Sequence, residues 1–453
     1  MVAEPAAATP PTRRTAFAEG VDKARAAATT EPGRLRIIGA VLALLVIAFG
    51  AVTAWQTADR AAAADDVLHK SQPLSASAAE IYRSLADANT AASSGFLAGG
   101  QETATSRKQY EHDIDKAAAE LVRAAGSSDP DSPSADSVTR LNTLLPQYKG
   151  LVERARTYNR QGFPVGGAYL RYANQKMQDE MLPEARKLYT MENRRLEVDY
   201  ADATPYPWAA IALGVLTLAA LAWAQHRNYR RTNRVLNHGL VSATAAAAVV
   251  LLWLVVGHTV ARAGLNDSYD HGVRSLKVLH DARIASLKAR GNENLTLVAR
   301  GAETEKITVD GKEKTVDKYD NDFTTDIDDL ATRLAQAAKL ADDRAGRNPV
   351  ASAQGNMKVW KTRHSAAREQ DDYGNYEQAL ALVIGDKGAT AECFDSVDEN
   401  LEKALTHEQK EFQLAAGDGL DAMTGLTAGA AVLALLGAAG AVLGIGRRLS
   451  EYR

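Results

Sequence analysis

Trp208-Ala209-Ala210-Ile211-Ala212-Leu213-Gly214-Val215-Leu216-Thr217-Leu218-Ala219-Ala220-Leu221-Ala222-Trp223-Ala224 contains no Asp, Glu, Lys or Arg. The segment after it, Gln225-His226-Arg227-Asn228-Tyr229-Arg230-Arg231-Thr232-Asn233-Arg234, holds four arginines and no acid, and a second charge-free run then extends from Leu240 to Ala261. A helix rises ~1.5 Å per residue, so ~20 residues cross a hydrocarbon layer ~30 Å thick. Each run is long enough to span. Arginines between two spans are retained on the cytoplasmic side. The stretch therefore reads as a transmembrane hairpin with its turn inside the cell.

Two more charge-free runs flank this hairpin, Ile37 to Trp55 and Ala422 to Gly446. The remaining chain is polar, which is why 46% hydrophobic residues still yield a mean hydropathy of -0.25. Aromatics are scarce at 6% and alanine is frequent, a balance that favours helices over sheets. The expected fold is an all-α membrane protein with four transmembrane helices and two tandem extracellular four-helix bundles related by an internal repeat. The expected order is a disordered cytoplasmic tail at 1–36, spans at 37–57, 205–225, 240–262 and 422–446, bundles at 58–204 and 263–421, a basic cytoplasmic loop at 226–239, and a cytoplasmic tail at 447–453. Ile37 to Trp55 reads as a retained anchor, since no small-residue cleavage site follows it. The tail before it, with Thr9 and Thr12 beside prolines, reads as plain flexible chain.

Charge supports this topology. The three pieces assigned to the cytoplasm carry 13 Lys and Arg against 5 acids, whereas the two external segments carry 39 against 51. The net charge of -3 conceals that split. Cys393 is the sole cysteine, so no intrachain disulfide can form and the external segments must hold together by packing.

Within 58–204 four helices are expected, ending near Ala98, running over about 105–125 and 135–160, and returning from Ala168 to Ala203. Gly99-Gly100 breaks the first, and Gly126 to Ser134 and Gln161 to Gly167 are loops. Leu170, Ala173, Met177, Met181, Ala185, Leu188 and Met191 recur at helical spacing on the fourth. The methionines suit core filling. In 263–421 the plan recurs with one addition: Ile307-Thr308-Val309 and Lys314-Thr315-Val316 flank Asp310-Gly311, a hairpin signal. Helices are expected over about 316–345 and 351–372, with a loop at Gly346-Arg347-Asn348-Pro349. A turn at Tyr373-Gly374-Asn375 precedes one last helix reaching Gly417. The halves align in spacing: Phe96 to Thr103 with Leu297 to Thr304, and Tyr110, Asp113 and Leu121 with Tyr319, Asp322 and Leu330. Copies that each cross twice face the same way, about an axis along the membrane normal.

Catalytic patterns are missing. There is no phosphate-binding loop, dinucleotide fingerprint, His-Glu-x-x-His or cysteine pair, so neither an enzyme nor a cofactor is expected, and no nucleic-acid partner. Asp65, Asp66 and His69, like Asp267, Asp270 and His271, read as solvated faces rather than metal ligands, as do Asp326, Asp328 and Asp329. The four charge-free runs hold no ionisable residue except His258, which disfavours an ion or proton pathway. Aromatics gather at two expected membrane-distal tips: Tyr158, Phe163, Tyr169 and Tyr172 at one, Tyr373 and Tyr376 at the other. They are candidates for contact with an extracellular partner protein, or caps on the bundle cores. On the cytoplasmic side Arg227, Arg230, Arg231, Arg234, Arg447 and Arg448 are candidates for relaying a signal to a partner or to anionic lipid, or serve only to set topology.

A long helix leaving one span, two inner helices and a long helix returning to a second span resemble the four-helix sensing domains of chemoreceptors and sensor kinases. The tandem four-span layout, the linker Arg230-Arg231-Thr232-Asn233-Arg234-Val235-Leu236-Asn237-His238-Gly239-Leu240 and the short tails resemble the GlnX-type four-span membrane sensor proteins of actinobacteria. That resemblance implies a sensor in the cell membrane that reads an amino-acid-related solute, or the lipoprotein binding it, and informs a cytoplasmic Ser/Thr kinase. Independently of any family, a bundle joined to membrane helices can pass a change of packing inward by sliding or rotation. The competing class is a non-switching scaffold or accessory subunit of the cell envelope.

Overall fold

The computed structural model describes residues 31–98, 102, 104–232, 237–309, 311–385 and 387–449. Residues 1–30 of the expected tail, the Gly99-Gly100 break, part of the basic loop at 233–236, Asp310 and the last four residues lie outside the described residues, whereas residues 31–36, expected within the disordered tail, open the first helix. What is described is nearly all helical and divides into two compact units.

The apolar unit comprises the chain up to Ala61, Pro205–Ala261 and the chain from Asp421 onward. Its helices belong to α1 (Glu31–Asp66), α7 (Trp208–Thr232), α8 (His238–Asp267) and α14 (Leu426–Leu449). All four are long and apolar enough to cross a membrane, the pattern of a multi-pass membrane protein. Leu42, Val46, Phe49, Leu221, Val250 and Ile445 pack among a stripe of alanines. Leu44, Leu216, Leu252, Leu435 and Leu443 instead stand more than half exposed. Such side chains on a water-facing surface would be an aggregation hazard; against lipid tails they are matched. Small residues bring backbones close: a Cβ on Gly214 would lie 2.7 Å from Phe49 and 2.9 Å from Leu251. Polar bonds tie the ends. Gln56 Oε1 accepts from Ala210 N–H at 3.1 Å, and Gln225 Nε2 donates to Thr244 Oγ1 at 2.7 Å.

The polar unit joins Ala62–Thr204 and Arg262–Leu420. Its first segment holds α2 (Gln72–Leu97), α3 (Ala104–Ser127), α4 (Pro133–Arg160), α5 (Val165–Lys176) and α6 (Leu182–Ala203). Its second holds α9 (Arg274–Ala299), strands β1 (Thr304–Val309) and β2 (Lys312–Asp317), then α10 (Lys318–Leu340), α11 (Arg344–Asp372), α12 (Tyr376–Ile384) and α13 (Thr390–Asp421). One-turn π-helical segments interrupt the helices at Val67–Ser71, Met177–Met181 and Ser268–Val273. The first and third precede α2 and α9 at corresponding places.

Local chemistry explains the boundaries. Ser132 Oγ accepts from Ala135 N–H and Pro133 opens the first turn of α4. Asp317 caps α10 through Asp320 N–H at 3.0 Å. The strands pair antiparallel from Thr304 opposite Asp317 to Val309 opposite Lys312, and Gly311 takes the positive φ of 73° that the tight turn needs. Two expectations are corrected. The loop placed at Gly346 to Pro349 is the first part of α11, because Asp343 caps that helix through Gly346 N–H at 2.8 Å and so starts it earlier. Pro349 follows within the helix. The single helix placed after Asn375 is broken between Ile384 and Thr390. There Arg290 reaches from α9 to Val383 O at 3.3 Å and Thr390 Oγ1 at 3.1 Å, taking up groups on both sides of the break.

At the centre lie α2 and α9, buried on nearly every face. Both carry small buried residues, Ser77, Ala78, Ala88 and Ser93 on one and Ala282, Ala285, Ser286 and Ala289 on the other. Polar bonds cross directly: Thr90 Oγ1 to Leu287 O at 3.4 Å and Asn294 Nδ2 to Ser94 Oγ at 2.8 Å. Ile284 and Leu287 join the same cluster as Tyr82, Leu85, Tyr110, Leu141, Tyr148 and Met181. The two polar segments thus share a core.

Candidate functional site

The turn Gln161-Gly162-Phe163 closes α4 and starts α5. Phe163 N–H bonds to Tyr158 O at 2.9 Å and Gly162 adopts φ 74°. This brings Tyr158 and Tyr169 into a parallel stack at 5.5 Å, with Phe163 edge-on to Tyr158 at 6.2 Å. Asn159 Nδ2 donates to Phe96 O at 2.9 Å, fixing the end of α2 beside this trio. Phe163 is half exposed, whereas the two tyrosines are partly covered. Tyr376 stands apart from the trio. The Arg300 guanidinium lies 3.8 Å above its ring, and Arg300 itself holds a left-handed backbone at φ 49°. Tyr373 is the most exposed of these aromatics. So Tyr158, Phe163 and Tyr169 form one cluster, and among the described residues no ring contact joins them to Tyr373 or Tyr376.

Beside the trio a cleft of ≈ 700 Å³ opens between the two polar segments. One wall is α5 and the π turn after it, with Arg171, Tyr172, Gln175, Gln178 and Asp179. The other wall comes from α9 and α10, with Lys288, Asn292, Tyr319, Asp322 and Asp326, plus Glu303. The charges are mixed and incompletely paired. Lys318 holds Asp322 at 3.0 Å, while Lys288 approaches Asp326 only to 4.0 Å. No carboxylate lies within ion-pair distance of Arg171 among the described residues. Burial pushes the Asp326 carboxyl up to about 6 against the pull of Lys288 and the 2.8 Å bond from Asn292 Nδ2. Burial likewise pushes the Tyr319 phenol above its ordinary value, opposed by Lys318. A guanidinium on one wall and a reluctant carboxylate on the other can hold a small molecule that carries both an anionic and a cationic group.

Sequence reading places Asp326 on a solvated face. The structure turns it inward and leaves Asp328 and Asp329 exposed. It also overlooks Arg171 and Lys288, for no spacing relates residues of two different segments. The one available signal was Tyr172, an exposed aromatic one position from Arg171.

Among the arginines between spans, Arg227 packs over the Trp223 ring at 5.5 Å and Arg230 is exposed. Arg447 ends the described face of α14 and is exposed. Arg234 and the side chains of Arg231 and Arg448 lie outside the described residues. The loop's far end is anchored: Asn237 Oδ1 accepts from Gly239 N–H at 3.2 Å, and its Nδ2 donates to Gly444 O at 2.8 Å, tying the start of α8 to α14.

Residues 63–201 match a protein-family profile described as an actinobacterial sensor domain. No curated protein and no solved structure matches the chain. The matched stretch covers α2 to α6 with the π turns, the segment that supplies the aromatic trio and one wall of the cleft.

Proposed function

We propose that this chain is a transmembrane signal transducer of the cell membrane, with both termini and the 226–239 loop cytoplasmic and the polar unit outside. The sensor-family match over 63–201 carries the reading, because it falls on the polar segment between two membrane-long helices. The charge bias of the loop and tails supports the orientation. The input is an amino-acid-related solute, bound in the cleft or delivered by an extracellular solute-binding protein that docks on Phe163, Tyr158, Tyr169, Tyr373 and Tyr376. Arg171 takes the carboxylate and Asp326 the ammonium group. The output passes to a cytoplasmic partner such as a Ser/Thr kinase through Arg227, Arg230 and their neighbours, in keeping with the GlnX-type resemblance. The two halves act as repeated copies about the α2–α9 contact.

The test uses the full chain in lipid nanodiscs, with Cys393 replaced by Ser and cysteines placed at Gly39 and Ile445. A Cβ at Gly39 would lie 3.3 Å from the Ile445 side chain, so the pair reports on α1 against α14. Millimolar amino acids, singly and with extracellular lipoproteins from the source cell, should change the crosslinking rate, and Arg171→Ala should abolish the response to the free solute. A rate that no amino acid or lipoprotein alters would reject switching and leave the scaffold.

A further inference from the structure

Away from the cleft, a second group of ligating side chains is assembled from three places in the chain. Asp343 lies in the short turn before α11. His407 and Glu411 sit one turn apart on one face of α13. His407 Nε2 is 3.1 Å from Asp343 Oδ1 and 3.3 Å from Glu411 Oε1, and the three ligand atoms all lie within 4.8 Å of one another. Bonds of ~2.1 Å around a tetrahedral or octahedral ion put adjacent ligand atoms about 3.0–3.4 Å apart. The two edges at His407 Nε2, 3.1 and 3.3 Å, fall in that interval.

The surroundings add a second imidazole. His271, in the π turn before α9, has Nδ1 3.9 Å from Asp342 Oδ2 and Nε2 3.9 Å from Asp267 Oδ1. Asp342 is the residue before Asp343 in the same turn. The Arg347 guanidinium donates to the main-chain oxygens of Asp343 and Asp342 at 2.8 and 2.7 Å, and among the described residues it forms no ion pair with their carboxylates. A simple surface ion pair accounts for one histidine between two acids. It does not account for two histidines and four carboxylates drawn from four elements. The corresponding place in the first segment serves as the contrast. Asp65 and His69 pair at 2.9 Å, both largely exposed, and no third ligating group joins them among the described residues.

We propose that Asp343, His407 and Glu411 bind a divalent first-row transition ion of the zinc class, with His271 as the fourth ligand drawn in from the adjoining π turn. The donor set decides the class. Imidazole nitrogen with carboxylate oxygen suits zinc and its neighbours, whereas calcium takes six to eight oxygens and magnesium retains its waters. A bound ion would lock α13 to the α10–α11 turn and to the π turn before α9. This assignment is independent of the solute reading.

The test is metal binding by the full chain in detergent, freed of any purification tag and stripped with chelator, titrated with Zn²⁺ against a fluorescent zinc indicator. One equivalent should bind with micromolar or tighter affinity. His407→Ala and Glu411→Gln should each weaken it at least ~10-fold, with unchanged helical circular dichroism. His271→Ala should weaken it less, and His69→Ala not at all. Glu411→Gln keeps size and helix preference, so it remains informative if the His407 variant fails to fold. Absence of saturable Zn²⁺ binding, wild-type affinity in both ligand variants, or equal loss with His69→Ala would each overturn the assignment.

Discussion

Glu293 is almost fully buried, and its carboxylate organises its neighbours. It accepts from Arg290 Nη1 at 2.6 Å and Trp360 Nε1 at 3.1 Å, and bonds to His364 Nδ1 at 3.0 Å. The far nitrogen of His364 bonds to Asp320 at 3.0 Å, and the ring stacks on Phe323. Replacing Glu293 with Ala leaves Arg290 buried without its carboxylate, so urea unfolding should show a loss of about 3–5 kcal/mol. Burial opposes charge on His364, but the hydrogen bonds to Asp320 and Glu293 prevail and hold its pKa above the ordinary value. Its stabilisation is therefore complete below about 6.5 and is lost as pH rises through the folded-state value. Asp326 acts in the same direction. With its carboxyl raised to about 6, its neutral form favours the folded chain, and that stability is lost as pH rises through about 6. The ionised form costs on the order of 2–3 kcal/mol. Melting temperature should therefore fall as pH rises from about 4 through about 6 for Asp326, and further above the ordinary histidine value for His364. His364→Gln and Asp326→Asn should each flatten that slope, and an unaltered slope in both would assign it elsewhere.

Among elements, the β1–β2 hairpin projects from the polar unit. The first four residues of β2 are exposed, so its outer part contributes little burial. Replacing residues 306–315 with Asn-Gly, between the paired Glu305 and Val316, should change unfolding stability by less than ~1 kcal/mol. A larger drop in a thermal melt would mean that the strands support the unit. In the apolar unit the opposite holds. Gly214 faces Phe49 and Leu251 with no space for a side chain, so Gly214→Leu should cost about 1–3 kcal/mol and lower the melting temperature in detergent. The π turns are a further element-scale feature. Each introduces an extra residue into a helix, and such insertions recur at functional positions. Their sequences, Val67 to Ser71 and Ser268 to Val273, carry no pattern separating them from ordinary helix, which is why they were illegible before the fold was known.

At the scale of the whole molecule, the chain passes between its units four times. Near residues 61 and 261 it does so inside α1 and α8, whereas Thr204 to Pro207 and Ala422 to Gly425 form breaks at the other two. Continuous helices transmit rotation and sliding where broken ones absorb them, so α1 and α8 are the carriers that the proposed signalling role would require. On the proposed function, replacing Arg230 and Arg231 with Ala, with membrane insertion intact, should leave solute-dependent crosslinking unchanged and abolish the response of the proposed cytoplasmic kinase. A kinase response equal to wild type would confine those arginines to topology. By itself the sequence determined four membrane-long apolar helices, a nearly all-helical remainder and the one hairpin, because each is written in a local pattern: uninterrupted apolar length, alanine-rich periodicity, and Asp-Gly between β-branched residues. Only the tertiary structure decided that the two polar segments share one core around α2 and α9, that Asp326 turns inward opposite Arg171, and that His407 reaches Asp343. Helices buried on nearly every face show no stripe to read, and side chains brought together from distant parts of the chain leave no spacing between them.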